Sequence, residues 1–414
     1  MSERRYRVLI VSSHVVQYTA PLFRLMAEHP RLDIQVAYCS LQGAKPELDR
    51  EFGVEVAWDL PLLEGYSWVH VPNRSPWPGL GRFLGLVNPG LWKLVRTGKF
   101  DAVVSYTGYA YLSFWILATA AKLSGVPLLA STDAHSLQSP HPRWWKSLLK
   151  RCCLPLVYRL YDVVLAPSEA TIWFVKSLGI PEKRISFAPG GFDNEWWTRK
   201  AKQADQRTVR DRLGVPRRST VFLFCAKLQP WKRPQDLLRA FARLGQSDCF
   251  LIFVGEGPLR AELEAEASAL GVSERVIFSG FVNQTHLPEL YRAADLLVLP
   301  SDYDGCPLVV CEAMSCGCPV VLSDAIPGRF ELVRHGDTGF IYPCGNVDAL
   351  ARILREAVQD PKHLRKLSSS AVEQMKSWSL RTYADGLVRA FERAVPLPSG
   401  PANKQEMSSV KQEA

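Results

Sequence analysis

The stretch LVLPSDYDGCPLVVCEAMSCGCPVVLSD, residues 297–324, decides the fold. A short apolar run ends in Pro-Ser, an acidic turn follows, an apolar segment of helix length occupies 307–316, and a valine-rich run begins after Gly-Cys-Pro. Strands that bury both faces read as continuous apolar runs, and parallel neighbours need a crossover of about a dozen residues, usually a helix. The stretch is therefore a βαβ unit.

Working outward, the same alternation runs along the chain. In the first half the strand candidates are RVLIVSS (7–13), DIQVAYC (33–39), DAVVSYT (101–107), VPLLAST (126–132), DVVLAPS (162–168) and RISFAPG (184–190). The second half starts the pattern again with TVFLFCAK (220–227), CFLIFVG (249–255), RVIFSG (275–280), DLLVLPS (295–301), PVVLSD (319–324) and GFIYP (339–343). Helical segments such as 258–270 separate them. This predicts an α/β chain of two doubly wound, Rossmann-like domains. The charged stretch TRKAKQADQRTVRDRLGVPRRS at 198–219 carries no sustained strand pattern and reads as a linker, placing the first domain at 1–197 and the second at 220–378. After a Lys-Ser-Trp-Ser break at 376–379, a helix at 379–395 is expected to cross toward the first domain, and 396–414 reads as a disordered tail.

The chain has 414 residues and a formal charge of +9, which favours anionic partners without choosing among phosphorylated small molecules, nucleic acid and an acidic membrane face. No apolar run reaches the roughly 18 residues of a membrane span, and the start MSERRYRVLIVSS is strand-like rather than signal-like, so a cytoplasmic protein is expected. The ten cysteines lie mostly in apolar runs and read as reduced core thiols; Cys152-Cys153 and Cys316-Gly-Cys318 lack zinc-ligand spacing.

In open α/β sheets ligands bind beyond the carboxyl ends of the strands, so the residues after each apolar run carry the chemistry. After LVLPS come Asp304 and then Pro307, a residue suited to the first position of a helix. The following amides, of Leu308 and Val309, would point out of the helix start toward an anion such as a diphosphate. Glu312 lies about a turn and a half further on. Two readings stand for the acids. They bracket a ligand, Glu312 accepting from ribose hydroxyls and Asp304 from a sugar, or Glu312 pairs with a neighbouring cation while Asp304 caps the helix. After TVFLFCAK, Lys227 and Lys232 share one strand-to-helix loop and can offset charge on a departing nucleoside diphosphate. In Gly255-Glu256-Gly257-Pro258-Leu259-Arg260 the third position of a G-x-G-x-x-G fingerprint is Arg260, which argues against a nicotinamide cofactor. Gly255 and Gly257 then serve backbone approach to a ligand or a tight turn.

These features, from 220 to 346, resemble in order and spacing the signatures of glycosyltransferase family 4. The first half agrees through DVVLAPSEA and PGGFD. The resemblance implies the GT-B fold, with two domains facing across a cleft, and transfer of a sugar from a nucleotide-sugar donor with retention of configuration. Asp304 and Glu312 fall on the family's two acids, the second of which binds ribose, and Lys232 on its phosphate-binding lysine. Ala226-Lys227-Leu228 stands where the family usually has Gly-Arg-Leu, and Asp304 replaces a commoner glutamate. The donor is a substrate, so no cofactor is implied. Asp302-Tyr303-Asp304 looks like the metal-binding Asp-X-Asp of another glycosyltransferase class, but lysines and a helix start already serve the diphosphate, so no metal is expected.

In the first half, His14 and Gln17 follow the first apolar run and are acceptor-side candidates, with a structural histidine as the plainer reading of His14. Asp133 and His135 follow VPLLAST where the resemblance implies a histidine against the reacting sugar; Asp133 falls at that place and His135 two residues later, so either is expected to serve there. At 143–160 (RWWKSLLKRCCLPLVYRL) Trp145, Leu148, Leu149, Cys152, Cys153 and Leu156 recur at helical spacing among basic residues. This is either a covering helix or one that lies on an anionic membrane, making the protein peripheral at its inner face. Partners are then the donor and a saccharide, lipid-linked or small-molecule acceptor, with no nucleic acid. The resemblance implies a role in glycan or glycolipid biosynthesis. A nucleotide-sugar epimerase of the same fold and a non-catalytic nucleotide-binding protein are the competing readings.

Overall fold

The computed structural model describes residues 5–49, 53–137, 144–189, 191–246, 248–304, 307–326 and 329–395. The segment 396–414, expected to be a tail, lies outside the described residues, as does Cys306. In chain order the strands are β1 (Tyr6–Ser12), β2 (Leu32–Tyr38), β3 (Glu47–Asp49), β4 (Val54–Val56), β5 (Trp68–His70), β6 (Ala102–Tyr106), β7 (Leu128–Ser131), β8 (Val163–Ala166) and β9 (Ile185–Phe187). They continue with β10 (Thr220–Cys225), β11 (Cys249–Val254), β12 (Val276–Gly280), β13 (Leu296–Leu299), β14 (Val320–Ser323) and β15 (Gly339–Tyr342).

Two parallel sheets result, ordered β5-β2-β1-β6-β7-β8-β9 and β12-β11-β10-β13-β14-β15. Each of the twelve apolar runs read from the sequence is a strand of one of them. Both faces of each sheet are buried: Val8 and Ile10 join one core cluster and Leu9 and Val11 another, and Val221 and Leu223 separate in the same way from Phe222 and Phe224. That is why these strands are continuous in hydrophobicity. The short β5 and the antiparallel β3–β4 ribbon gave no such signal.

The linker reading of 198–219 is corrected. Helices Asn194–Gln203 and Gln206–Arg212 run through it, each started by an aspartate, with Asp193 accepting from the Trp196 amide at 3.0 Å and Asp205 from the Thr208 amide at 3.4 Å. Trp197, Ala201, Val209 and Val215 pack in the same core as Tyr291, Val310 and Met314. The buried Arg210 donates to the carbonyls of Ala293 and Ser219, both at 2.9 Å, and pairs with Asp295 at 2.7 Å. The charges that made the stretch look like a linker occupy the outer face, apart from Arg210.

The helix Leu380–Ala394 lies on the first sheet. Leu380, Leu387 and Phe391 enter its core, the Tyr383 hydroxyl meets those of Tyr106 at 2.6 Å and Ser131 at 2.9 Å, and Gly386 lies so close to Ala188 that a Cβ there would sit 2.7 Å from the alanine's. The chain thus passes from the first sheet to the second and back. Among the described cysteines all are free, and Cys152 and Cys153 are exposed, which corrects the expectation of core thiols for that pair. No helix among the described residues is long and apolar enough to cross a membrane.

Candidate active site

In the second sheet the strand order reverses beside β10, which lies between β11 and β13. A crevice opens at the carboxyl ends of the strands flanking such a reversal. Here it is a cavity of about 450 Å³. Lys227 enters it from the end of β10, Gly255 from β11, Phe281 and Val282 from β12, and Asp304 and Glu312 from the segment after β13.

Glu312 sits in the helix Leu308–Ser315, whose first residues also line the cavity. Pro307 is the residue before this helix rather than its first member. Amides of the first turn have no acceptor within a helix, so those of Leu308 and Val309 present their N–H groups at the cavity wall, where the helix dipole adds positive potential. Pro307 holds the N-cap position with no side-chain cap bond among the described residues, and Asp304 pairs instead with Lys232. Glu312 is 2% exposed, and its Oε2 accepts from the Tyr291 hydroxyl at 2.7 Å while Oε1 is buried without a partner. Burial pushes its carboxyl up to about 7, only partly offset by the tyrosine's hydrogen bond. The surface ion-pair reading of Glu312 is set aside.

Asp304, 9% exposed, pairs with Lys232, so the two residues read from the sequence as sugar and phosphate ligands are joined to each other across the cavity. Asp302 is exposed and points elsewhere, its charge acting on Arg233 and Cys344. No cluster of three potential metal-ligating side chains occurs among the described residues.

Gly255 has φ +132° and faces the Ala226 carbonyl oxygen, which a Cβ would approach to 2.1 Å. Gly257 is not part of the cavity wall; it lies against Leu228, whose carbonyl oxygen would be 2.5 Å from a Cβ. Its role is close packing of the β10 and β11 loops rather than ligand contact, which corrects its assignment to the donor. Arg260, at the third fingerprint position, pairs with Glu256 and Glu264.

From the first domain, His14 does not reach the cavity wall. Its ring accepts or donates to Ser13 Oγ at 2.9 Å, and burial lowers its pKa, the pattern of a structural histidine. Gln17 lines a neighbouring cavity of about 160 Å³ that shares Tyr18 and Gln284 with the main one. Asp133 and His135 are not in the wall either, but the His135 ring lies 6.2 Å from that of Tyr303, and Asp133 together with Asp304 raises the pKa of the Tyr303 phenol, after burial. The 133–135 loop therefore faces the rim of the site across the cleft.

Residues that sequence reasoning missed are mostly aromatic. Tyr18 lines the cavity, and burial followed by the Glu312 charge pushes its phenol well up. Trp58, Trp231 and Tyr303 also line it. Tyr291 orients Glu312 from the helix Leu287–Ala293. Tyr18 beside Gln17, Trp231 in the Lys227–Lys232 loop and Tyr303 between Asp302 and Asp304 stood in segments already under scrutiny, whereas Trp58 did not.

Comparison with known proteins agrees with this architecture. The profile described as "Glycosyltransferase Family 4" matches residues 22–196 and that described as "Glycosyl transferases group 1" matches 205–374. The D-inositol 3-phosphate glycosyltransferase of Rhodococcus jostii is 31% identical over 241 residues, 56% of this chain and 52% of that protein. A D-inositol 3-phosphate glycosyltransferase of Catenulispora acidiphila is 28% identical over 365 residues, covering 81% and 82% of the two chains. The chain thus spans about half the length of the first of these relatives and most of the second. In fold, the crystal structure of Anabaena HepE in complex with UDP and glucose superposes with a TM-score of 0.70 at 23% identity, over 94% of this chain and 100% of that one. With two parallel-sheet domains, each matched by its own profile and both matched in order, the chain belongs to the family 4 glycosyltransferases of GT-B fold.

Proposed function

We propose that the protein transfers a sugar from a nucleotide-sugar donor to an acceptor hydroxyl, with retention of configuration, in the synthesis of a glycan or glycolipid. The observation that carries this reading is the buried, unpartnered Oε1 of Glu312 in the wall of a cavity that also holds Lys227, Lys232 and a helix start. A buried acceptor without a partner is costly, and the ribose hydroxyls of a nucleotide would satisfy it. The lysines and the Leu308 and Val309 amides then carry the diphosphate and stabilise the charge that develops as it departs. Asp304 is positioned to accept from the transferred sugar once the diphosphate draws Lys232 away.

The acceptor enters from the first domain, past Asp133 and His135. Retention would arise by front-face displacement, in which the departing phosphate oxygen takes the acceptor's proton and no enzyme nucleophile is needed. The chemistry for Asp133 is orientation of the acceptor, and Asp133→Ala at wild-type turnover would remove it from the site. No metal is required in this scheme.

Membrane contact by the first domain finds support in exposed apolar groups. On the helix Trp144–Arg159, Leu154 and Val157 pack inward while Leu148, Leu149 and Leu156 are exposed beside Arg151 and Arg159; the side chain of Trp145 lies outside the described residues. Elsewhere in the same domain the loop at 74–84 adds exposed Trp77, Phe83 and Leu84 with Arg74 and Arg82, tied down by the Gly81 amide donating to the Tyr111 hydroxyl at 3.1 Å. Apolar side chains ringed by cations suit an anionic bilayer, which would bring a lipid-linked acceptor to the cleft. Flotation with anionic vesicles is the test, and absence of binding discards this part.

For the reaction itself, calorimetry with a panel of nucleoside diphosphates and nucleotide sugars fixes the donor in wild type and Glu312→Ala. Equal affinity in the two proteins refutes the ribose assignment. The anomeric configuration of the product, read by NMR, decides retention.

A further inference from the structure

The four strands whose ends build the cavity stand side by side in the order β13, β10, β11, β12. At the β13 end lie Glu312, Asp304 and the anion-binding helix start, and Lys227 follows at β10. At the β12 end the wall changes character. Phe281 and Val282 make it apolar, and the surface facing Phe281 belongs to the other domain: it is the indole of Trp58, with ring centroids 6.0 Å apart in an edge arrangement at 66°.

Trp58 is held there from both sides. The Asn283 side chain donates to the Ala57 carbonyl and accepts from the Asp59 amide at 3.4 Å. The Thr285 amide donates to the Asp59 carboxylate at 3.2 Å, and so does the Thr285 hydroxyl. Segment 57–59 follows β4 of the small ribbon, which stands apart from the main sheet; Trp58 packs against the first domain's core, and these bonds tie its segment to the second domain. A half-buried indole tied on each side by cross-domain hydrogen bonds is pre-positioned, and ordering it costs little when a ligand arrives.

We propose that Trp58 is a donor-binding residue supplied by the first domain, forming with Phe281 the slot for the nucleobase, and that the pairing of 57–59 with 283–285 is the latch that keeps the slot assembled. The inference rests on the donor reading above. A nucleoside diphosphate has a fixed order of phosphate, ribose and base. With phosphates at the helix start and ribose at Glu312, the base falls toward the β12 end, where two aromatic rings and an apolar wall suit its flat faces. Base recognition then requires both domains in their closed arrangement, which links donor binding to assembly of the acceptor side.

The test is calorimetry of UDP, ADP and GDP, with inorganic pyrophosphate as a probe that has no base, on wild type, Trp58→Leu, Trp58→Phe, the latch variant Asp59→Ala and the site variant Glu312→Ala. Loss of stacking is expected to weaken the preferred nucleoside diphosphate roughly tenfold or more in Trp58→Leu. Trp58→Phe restores most of that affinity, Asp59→Ala weakens it in the same direction, and pyrophosphate affinity is unchanged throughout. Unaltered circular dichroism and unfolding midpoints show that the variants fold, and Asp59→Ala, whose loss of nucleotide affinity with pyrophosphate affinity unchanged is the expected result and whose full retention of affinity overturns the inference, carries the test if the leucine variant does not. Nucleoside diphosphate binding that Trp58→Leu keeps in full while Glu312→Ala loses it overturns this inference alone. Wild type that binds none of the three nucleotides overturns the donor reading and this inference together.

Discussion

The Tyr291 hydroxyl donates to Glu312 Oε2 at 2.7 Å and leaves the other carboxylate oxygen, Oε1, buried and unpaired at the cavity wall. One hydrogen bond does not compensate a carboxylate for leaving water, which is why its pKa rises to about 7. A ligand that donates to Oε1 favours the ionised form and lowers that value. Donor binding is therefore expected to release a proton near neutrality, with affinity rising as pH goes from 6 to 8. A nucleotide sugar is the suitable probe, because its diphosphate is a diester without a titration in this range. Calorimetry in two buffers of different ionisation heat reads the proton directly. Equal affinity at pH 6 and pH 8, with no proton released, would contradict this role for Glu312.

The same shift governs stability. The folded-state value lies above the ordinary 4.5, so the folded protein holds the proton more tightly than the unfolded chain does. Stability is unaffected by this group below the unfolded value and falls as pH rises from about 4.5 to about 7, by at most about 3 kcal/mol. Replacing the carboxylate with a neutral amide removes the penalty. Glu312→Gln is expected to unfold at a higher urea concentration than wild type at pH 8, the difference narrowing at pH 5, while losing donor affinity. A gap that is the same at both pH values would show that the charge is not its origin.

The Lys232–Asp304 pair makes the two residues separable. Both are largely buried, so Lys232→Ala leaves the Asp304 charge without its partner and facing the incoming diphosphate. Nucleoside diphosphate affinity should fall roughly tenfold to a hundredfold, the range for a hydrogen bond to a charged group. Asp304→Asn frees the lysine. That variant is expected to bind a nucleoside diphosphate as well as wild type or better, yet to turn over the nucleotide sugar more slowly, because the sugar's hydroxyls lose their acceptor. Parallel losses of affinity in both variants would mean that the pair acts as one structural unit.

What the sequence made legible follows from how each feature is encoded. The strands of the two sheets are buried on both faces, so their continuous apolar runs mark them one by one, and Lys227, Asp304 and Glu312 follow directly from those runs. The helices at 194–212 escaped because their outer faces carry the charge of a linker while single residues, Trp197, Ala201 and Val209, do the packing. Tyr18 and Trp58 reach the site only through the docking of one domain on the other, and no local pattern encodes a contact between residues more than two hundred positions apart, as Trp58 and Phe281 are. Gly257 was misplaced for the opposite reason: a local motif suggested a ligand where the steric demand comes from the Leu228 backbone.

A diphosphate leaving group needs positive charge opposite it, and two-carboxylate motifs often supply this by sharing Mg²⁺ or Mn²⁺ with the phosphates. Asp302 and Asp304 are spaced for that in sequence, but their side chains do different things. Asp304 is buried against Lys232, and Asp302 is exposed with its charge directed at Arg233 and Cys344. On the phosphate side the cavity offers Lys227, Lys232 and the amides of Leu308 and Val309, which together supply the role a metal would play. Turnover of the nucleotide sugar is therefore expected to be unchanged in excess EDTA, and Asp302→Asn to stay within about twofold of wild type, as surface changes away from a site generally do. Activity lost in EDTA and restored by Mg²⁺ or Mn²⁺ would overturn the assignment of charge neutralisation to the lysines and the helix start.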